Sequence, residues 1–312
     1  MRSFCLRHYF VVVVVFFASF KALALGEQTV SEPVQAQLVN VSTDEYRINA
    51  PSTLYTGWTT FEFANTGSQA HFVAMYRLVD GKTIDDQLKY VAPVFDPLMQ
   101  GLRDGSLTKA DIGPFFENNV PEWGLQMTWV GGAAMLSPGH SVQATFNIDK
   151  AGTYLLECYV KSPDGKWHTL MGMLHQINVI EKTEASAKAR MIAVTQDHVL
   201  TISDAGIEGP KTLSAGTHTF KVNINSQPAG FMPYDINLAK VDKDTDLQAL
   251  YYWMDWTNVG GLRAPAPVTF LGGLEHMSAG KHGYITVNLA KGEYLWISEI
   301  NAAAMNMHFV VE

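Results

Sequence analysis

A thiol, an imidazole and two thioethers fall close together in this chain, at Cys158, His168, Met171 and Met173. They belong to the stretch Gly152 to Val179, GTYLLECYVKSPDGKWHTLMGMLHQINV. It reads as two strands around a turn at Ser162-Pro163-Asp164-Gly165. Tyr154–Val160 runs in and Lys166–Met173 starts back out. Cys158 and His168 are about equidistant from the turn centre. In such a hairpin they sit opposite one another, or one place off, with Cβ atoms roughly 5 Å apart. Soft and borderline donors converging at a hairpin end suit copper. A buried Cys beside an ordinary surface His is the blander account of the same residues.

Compartment bears on that choice. Arg2 and Arg7 precede an apolar run from Tyr9 to Phe20, and Ala22-Leu23-Ala24 has the small-x-small form of a signal-peptidase site. The run is short for a membrane span, and no later stretch is apolar for long enough. Residues 1–24 are therefore expected to be a signal peptide, and the mature chain to be periplasmic or secreted without stable membrane insertion. Cys5 lies in that leader, which leaves Cys158 as the single thiol and rules out an internal disulfide. A lone thiol in an oxidising compartment is a liability unless buried or used. The leader holds 3 of the 22 basic residues and none of the 30 acidic ones, so residues 25–312 carry 19 against 30, a formal charge of −11. Such a surface is a poor partner for nucleic acid or anionic membranes.

Abundant Gly, Thr, Val and aromatic residues with frequent turn signals point to a mainly β protein. Leu25 to Ser42 is polar without clear periodicity and reads as a lead-in with one edge strand. Asp44–Asn49, Gly57–Ala64 and His71–Leu78 read as strands, with a turn at Asn65-Thr66-Gly67-Ser68. From Asp80 to Trp123 the pattern becomes helical. Thr83 caps a helix with Asp85 and Asp86 in its first turn, and Thr108 caps a second, with Asp111 three residues on. Strands resume at Leu125–Val130 and Ser141–Ile148, and the hairpin exits along Leu174–Ile180.

The segment FEFANTGSQAHFVAM resembles the strand, Asn-x-Gly turn and His that carry the first copper ligand of cupredoxins. GTYLLECYVKSPDGKWHTLMGMLHQINV is similar to the last cupredoxin hairpin, with its Gly-Thr-Tyr strand and Gly-Met step. The resemblance implies one copper ion held by His71, Cys158, His168 and Met173. The spacing of His168 and Met173 matches the plastocyanin-type pattern, whereas the Cys158–His168 loop is about five residues longer than is usual there. In a continuous strand His168 and Met173 face opposite sides, so a bend at Gly172 is required. Met171 and His175 stand in reserve as the fourth ligand.

Glu181 to Arg190 is charged and Ala-rich and reads as a boundary, and residues 191–312 repeat the first half. Gly216–Phe220 answers Gly57–Phe61, Gly272-Gly273 answers Gly131-Gly132, and Gly292–Trp296 answers Gly152–Leu156. The expected organisation is a signal peptide (1–24), a cupredoxin-like domain with the candidate copper site (25–182), a linker (183–190) and a second cupredoxin-like domain (191–312). Each domain would be a Greek-key β-sandwich with a helical insertion. The donors do not repeat: Pro233 is read at the place of His71, Ser298 at that of Cys158, and Met307 alone keeps its place. Met305, Met307 and His308 offer either a second Cu(I) cluster or a core strand with His308 outward. His140, His198, His218, His276 and His282 read as solvated. Tyr251-Tyr252-Trp253 and Trp256 offer a partner surface or core packing.

No His-x-His, His-Cys-His, Gly-x-Ser-x-Gly, His-Glu-x-x-His or phosphate-binding Gly loop occurs, so no enzyme is expected. The expectation is an exported copper-binding protein for electron transfer or copper trafficking, with a redox or copper-transfer protein as partner. The alternative is a metal-free module that binds a protein.

Overall fold

The computed structural model describes residues 32–183, 189–230 and 232–312. The leader at 1–24 and the middle of the Glu181–Arg190 stretch lie outside them. The first half supplies β1 (Val34–Asp44), β2 (Arg47–Asn49), β3 (Thr53–Tyr55), β4 (Gly57–Asn65), β5 (His71–Arg77), β6 (Thr128–Leu136), β7 (Ser141–Ile148), β8 (Gly152–Glu157) and β9 (Leu174–Ile180). The second supplies β10 (Met191–Val194), β11 (His198–Ser203), β12 (Gly206–Glu208), β13 (Thr212–Leu213), β14 (Gly216–Ile224), β15 (Ile236–Val241), β16 (Thr269–Leu274), β17 (His282–Leu289), β18 (Gly292–Ile297) and β19 (Asn306–Val311).

These strands form two sheets, and each runs through both halves. One has the order β10-β1-β4-β7-β17-β14-β11-β12, with β2 on β1; the other is β13-β19-β18-β15-β16-β6-β5-β8-β9-β3. The seam joins equivalent strands, β7 to β17 through Thr145↔Tyr284 and β6 to β16 through Ala133↔Leu274, both antiparallel. Between the sheets the inward side chains of alternate positions make one core. Phe61 of β4 meets Phe146 of β7 edge-to-face, with ring centroids 4.9 Å apart.

The internal repeat survives in small details. β4 lies parallel to β1 and antiparallel to β7, and β14 lies parallel to β11 and antiparallel to β17. The hydroxyls of Thr60 and Thr145 pair at 2.7 Å, and those of Thr219 and Thr286 at 2.9 Å. Tyr154 donates to the Lys150 carbonyl at 2.6 Å, and Tyr294 to the Ala290 carbonyl at 2.7 Å. Gly132 (φ +127°) and Gly273 (φ +151°) lie so close to the neighbouring strand that a Cβ would stand 2.0 Å from the Val73 carbonyl oxygen and 1.9 Å from that of Ile236. Only glycine fits that approach.

Helices cover the outer face of β5, β8 and β9. Thr83 and Thr108 cap as expected, in capping boxes with Asp86 and Asp111. The first helical run passes from α1 (Ile84–Asp86) through a π-turn and a 3-10 turn into α2 (Phe95–Asp104), and the second is α3 (Ile112–Asn119). Tyr76, Leu78, Leu155 and Leu174 pack there against Ile84, Met127 and Trp129. The second half keeps one helix here, α4 (Leu247–Met254). Among the described residues no helix is long and apolar enough to cross a membrane.

Three readings of the chain need correction. The edge strand read within the polar lead-in is the eleven-residue β1, which lies inside its sheet between β10 and β4. The strand read over Asp44–Asn49 is broken at Glu45-Tyr46, where the chain turns from the end of β1 into β2 with Tyr46 at φ +63°. The return strand read over Lys166–Met173 is a single bridge at Lys161↔Trp167 and a 3-10 turn at Thr169–Met171; regular pairing resumes only at Leu174.

Candidate metal centre

Local polar chemistry sets His71 in place. Asn65 ends β4 and ties the following turn together: its Nδ2 donates to the Gln69 carbonyl (2.7 Å) and the Leu136 carbonyl (2.8 Å). Its Oδ1 accepts from Gly67 N at 2.9 Å and from the Thr43 hydroxyl at 3.3 Å. With every bond of that amide made, the turn delivers His71 as the first residue of β5 in one geometry.

Cys158 follows β8, and its N–H donates to the Met173 carbonyl at 3.1 Å. Its ladder partner is therefore Met173, not His168. His168 comes in from the loop instead, with its own N–H on the Val160 carbonyl (2.8 Å) and its carbonyl accepting from Met173 N (2.9 Å). The bend required at Gly172 is present, at φ +119°, where a Cβ would stand 2.8 Å from the Tyr46 carbonyl oxygen. That turn brings His168 and Met173 back to the same end of the sandwich.

The extra length of the Cys158–His168 loop docks onto the second half. Lys161 bridges Arg263, donates its N–H to the Leu262 carbonyl (2.8 Å) and accepts from Ala264 N (2.8 Å). Its Nζ, 2% exposed as a residue, donates to the Trp256 and Asn258 carbonyls at 2.9 Å each and lies 4.7 Å from the Trp167 ring centroid. The Arg263 guanidinium donates to the Pro163 carbonyl.

The outcome is one tight donor set. His71, Cys158 and His168 are all fully buried, and their ligand atoms lie within 4.8 Å of one another. His71 Nδ1 is 3.7 Å and His168 Nδ1 is 3.8 Å from Cys158 Sγ. Bonds of about 2.3 Å to sulfur and about 2.05 Å to nitrogen, spread 120° around one ion, place those atoms about 3.8 Å apart. Both sulfur–nitrogen distances therefore match those around a single ion. Met173 is fully buried and joined through its backbone to both Cys158 and His168. Met171 and His175 are half-buried. His175 Nε2 is buried without a partner, yet His175 is not in the close donor group.

Second contacts hold the rings ready. His168 Nε2 donates to Gln69 Oε1 at 3.2 Å, since that oxygen can only accept; Nδ1 is thereby left bare as a lone-pair donor. Gln69 is itself oriented by donating to Glu45 Oε2 (3.1 Å) and to the Tyr46 hydroxyl (3.0 Å). The Tyr46 ring meets His168 edge-on at 5.1 Å. Backbone N–H groups of Phe72 and Val160 donate to the Cys158 sulfur.

Without metal all three donors are held neutral. Burial pushes the Cys158 thiol up to about 12, against those two N–H groups and with the help of the Glu275 and Glu157 charges. Burial lowers His71 to about 4, against the pull of Glu45 and Asp44. Burial and the neighbouring His71 lower His168 to about 3. A cation is what makes the thiolate stable there, because the metal displaces the proton.

Among the described residues of the second half no comparable donor group occurs. Counting from the paired positions Ala74↔Glu157 and Asn237↔Ile297, Ser298 stands where Cys158 does, as read, but Tyr234 rather than Pro233 stands at His71. Ser298 N donates to the Met305 carbonyl at 3.0 Å, so Met305, not Met307, answers Met173. Met305 and Met307 are core residues, while His308 is exposed and meets Glu293 Oε2 at 3.1 Å. Trp253 and Trp256 are buried and Tyr252 is 52% exposed. His218 and His276, read as solvated, are buried. His276 Nδ1 donates to the Pro233 carbonyl (2.7 Å), and its Nε2 lies 2.9 Å from the Tyr159 hydroxyl, which is itself 3.2 Å from Glu299 Oε2. Its partners come from distant segments, so no local signal marked it.

No family model matches the chain, and no curated protein matches it. Solved structures match over part of its length. The auracyanin of Roseiflexus castenholzii is 19% identical, over 46% of this chain and 98% of that one, with a TM-score of 0.25. Auracyanin A of Chloroflexus aurantiacus, described as a "blue" copper protein, is 15% identical over 46% and 98%, with a TM-score of 0.27. An azurin of Methylomonas sp. strain J is 14% identical over 36% and 95%, with a TM-score of 0.27. This chain is mainly β and partly similar to such proteins, and its His71, Cys158 and His168 form one close, buried group of donors able to hold a metal ion.

Proposed function

We propose that the first half binds one copper ion through His71, Cys158 and His168, with Met173 as the weak fourth ligand, and that the protein carries electrons. The observation that supports this most is the pair of Nδ1 atoms at 3.7 and 3.8 Å from one buried sulfur. A His₂Cys plane under a thioether accepts Cu(I) and Cu(II) with little rearrangement, which is the chemistry copper would supply here. The chain's own part is to hold three neutral donors dry, fix the His168 tautomer through Gln69, and temper the sulfur with two N–H groups. Full burial of all three donors favours a resident ion over one handed between carriers, which needs a ligand within a partner's reach. Tyr46 and Gln69, both half-buried, lie between His168 and solvent, a separation of one side chain. Export to the periplasm or beyond, read from the leader, belongs to the same proposal.

Titration of the purified chain with Cu(II) tests this reading. An intense thiolate-to-copper charge-transfer band saturating at one equivalent is expected. Absence of copper uptake at micromolar metal, with no such band, contradicts it and leaves the metal-free binding module.

A further inference from the structure

Between the helical insertion and the outer face of β5 and β8 lies a cavity of about 420 Å³, within the range of about 300–1,000 Å³ that small-molecule sites occupy. Its walls are rings: Phe95, Phe116, Trp129, Tyr159, Trp167 and Trp256. Gln87, Glu117, Glu157 and Thr169 interrupt them. Gln87 is 2% exposed, and its Oε1 accepts no hydrogen bond. Glu157 accepts from the Tyr76 hydroxyl (2.8 Å) and the Thr169 hydroxyl (2.7 Å). Leu125 and Leu170, large apolar residues at 46% and 39% exposure, lie on the same lining and mark the opening.

A buried amide oxygen without a donor is destabilising unless a ligand supplies one. Aromatic walls favour an aromatic guest, through offset and edge-to-face contacts beyond simple area burial. We propose that this cavity binds a small hydroxyaromatic molecule of the phenol class. Its ring packs among the aromatic side chains and its hydroxyl donates to Gln87 Oε1. The site is separate from the metal donors and does not depend on copper, although Glu157 and Thr169 are the chain neighbours of Cys158 and His168.

The test is calorimetric titration of the metal-free full chain with p-cresol and with p-xylene, which matches its shape but lacks the hydroxyl. Expected are a p-cresol Kd below about 1 mM and binding of p-xylene weaker by about tenfold or more. Gln87→Leu should erase that preference. Gly113 lies on the lining, where a Cβ meets nothing within 4 Å, so Gly113→Trp should weaken both ligands by obstructing the cavity. In the unaltered protein, saturating p-cresol should also reduce acrylamide quenching of tryptophan fluorescence, a readout that needs no variant. Any of four results overturns the proposal: no p-cresol binding, equal affinity for p-xylene, unchanged quenching, or a folded Gly113→Trp protein that binds as before.

Discussion

Ser298 occupies in the second half the place that Cys158 holds in the first, and the two neighbourhoods satisfy their polar atoms in opposite ways. Ser298 Oγ uses both its hydrogen and a lone pair on the protein, accepting from Ile300 N at 3.2 Å. Its hydroxyl donates to Asp235 Oδ1 at 2.6 Å, that oxygen also accepts from Glu299 N at 2.8 Å, and Asp235 Oδ2 accepts from Asn237 at 2.5 Å. Around Cys158 the Nδ1 atoms of two imidazoles face one sulfur, at 3.7 and 3.8 Å. The frames are otherwise alike, down to the Thr–Thr pairs, the Tyr hydroxyls and the crowded glycines. The sandwich therefore does not need the donors to fold. What differs is the loop: the second half returns through Asn301–Ala304, while the first spends a longer segment anchoring Lys161 on its neighbour and delivering His168.

That contrast can be broken from the first half. Cys158→Ser, which copies the second half, should abolish the charge-transfer band altogether while leaving the circular-dichroism spectrum unchanged. The reciprocal Ser298→Cys, made together with Cys158→Ser, should produce no such band, because Tyr234 stands where His71 would and the short loop brings no imidazole; a band would mean that the frame alone makes the site. Gln69→Leu removes the partner that fixes the His168 tautomer. Copper affinity should fall about 10–100-fold, read by competition with a chelator, while the band remains at saturating metal.

Acid sharpens the comparison in the metal-free protein. His71 and His168 have folded-state values near 4 and 3, below the ordinary value of 6.5. The unfolded chain then binds more protons between pH 6.5 and those values, so stability is present above 6.5 and lost as pH falls. Each group contributes a slope of up to about 1.4 kcal/mol per pH unit in that window. Denaturant melts of wild type and His71→Asn from pH 7 to 4.5 should show the shallower slope in the variant. The smallest effect is expected for Met173→Leu: the band persists, and voltammetry shows a shifted reduction potential, since a weak axial ligand tunes the site more than it holds it.

Much of the centre was legible because residue types carry the chemistry. Cys158 and His168 stand out by kind and spacing, His71 only through the resemblance of its segment to a cupredoxin strand, and the bend at Gly172 follows from strand parity. What stayed hidden depends on distant partners. β1 did not read as an interior strand because Gln37 and Thr43 break its apolar alternation. Both are buried only because Gln37 reaches the Tyr55 carbonyl (2.6 Å) and Thr59 (2.8 Å), and Thr43 reaches Asn65. The loop from Lys161 to Trp167 looked like a plain hairpin because the carbonyls that hold Lys161 lie about a hundred residues further on. Tyr234 and Met305 took the places read for Pro233 and Met307 because ladder register, not turn counting, sets equivalence.

The most direct test of the central claim is an anomalous difference map, at the copper edge, from crystals of the copper-loaded protein. The account predicts one dominant peak within about 2.3 Å of Cys158 Sγ and about 2.0–2.1 Å of Nδ1 of both His71 and His168. A peak elsewhere, or none between those three side chains, would contradict it.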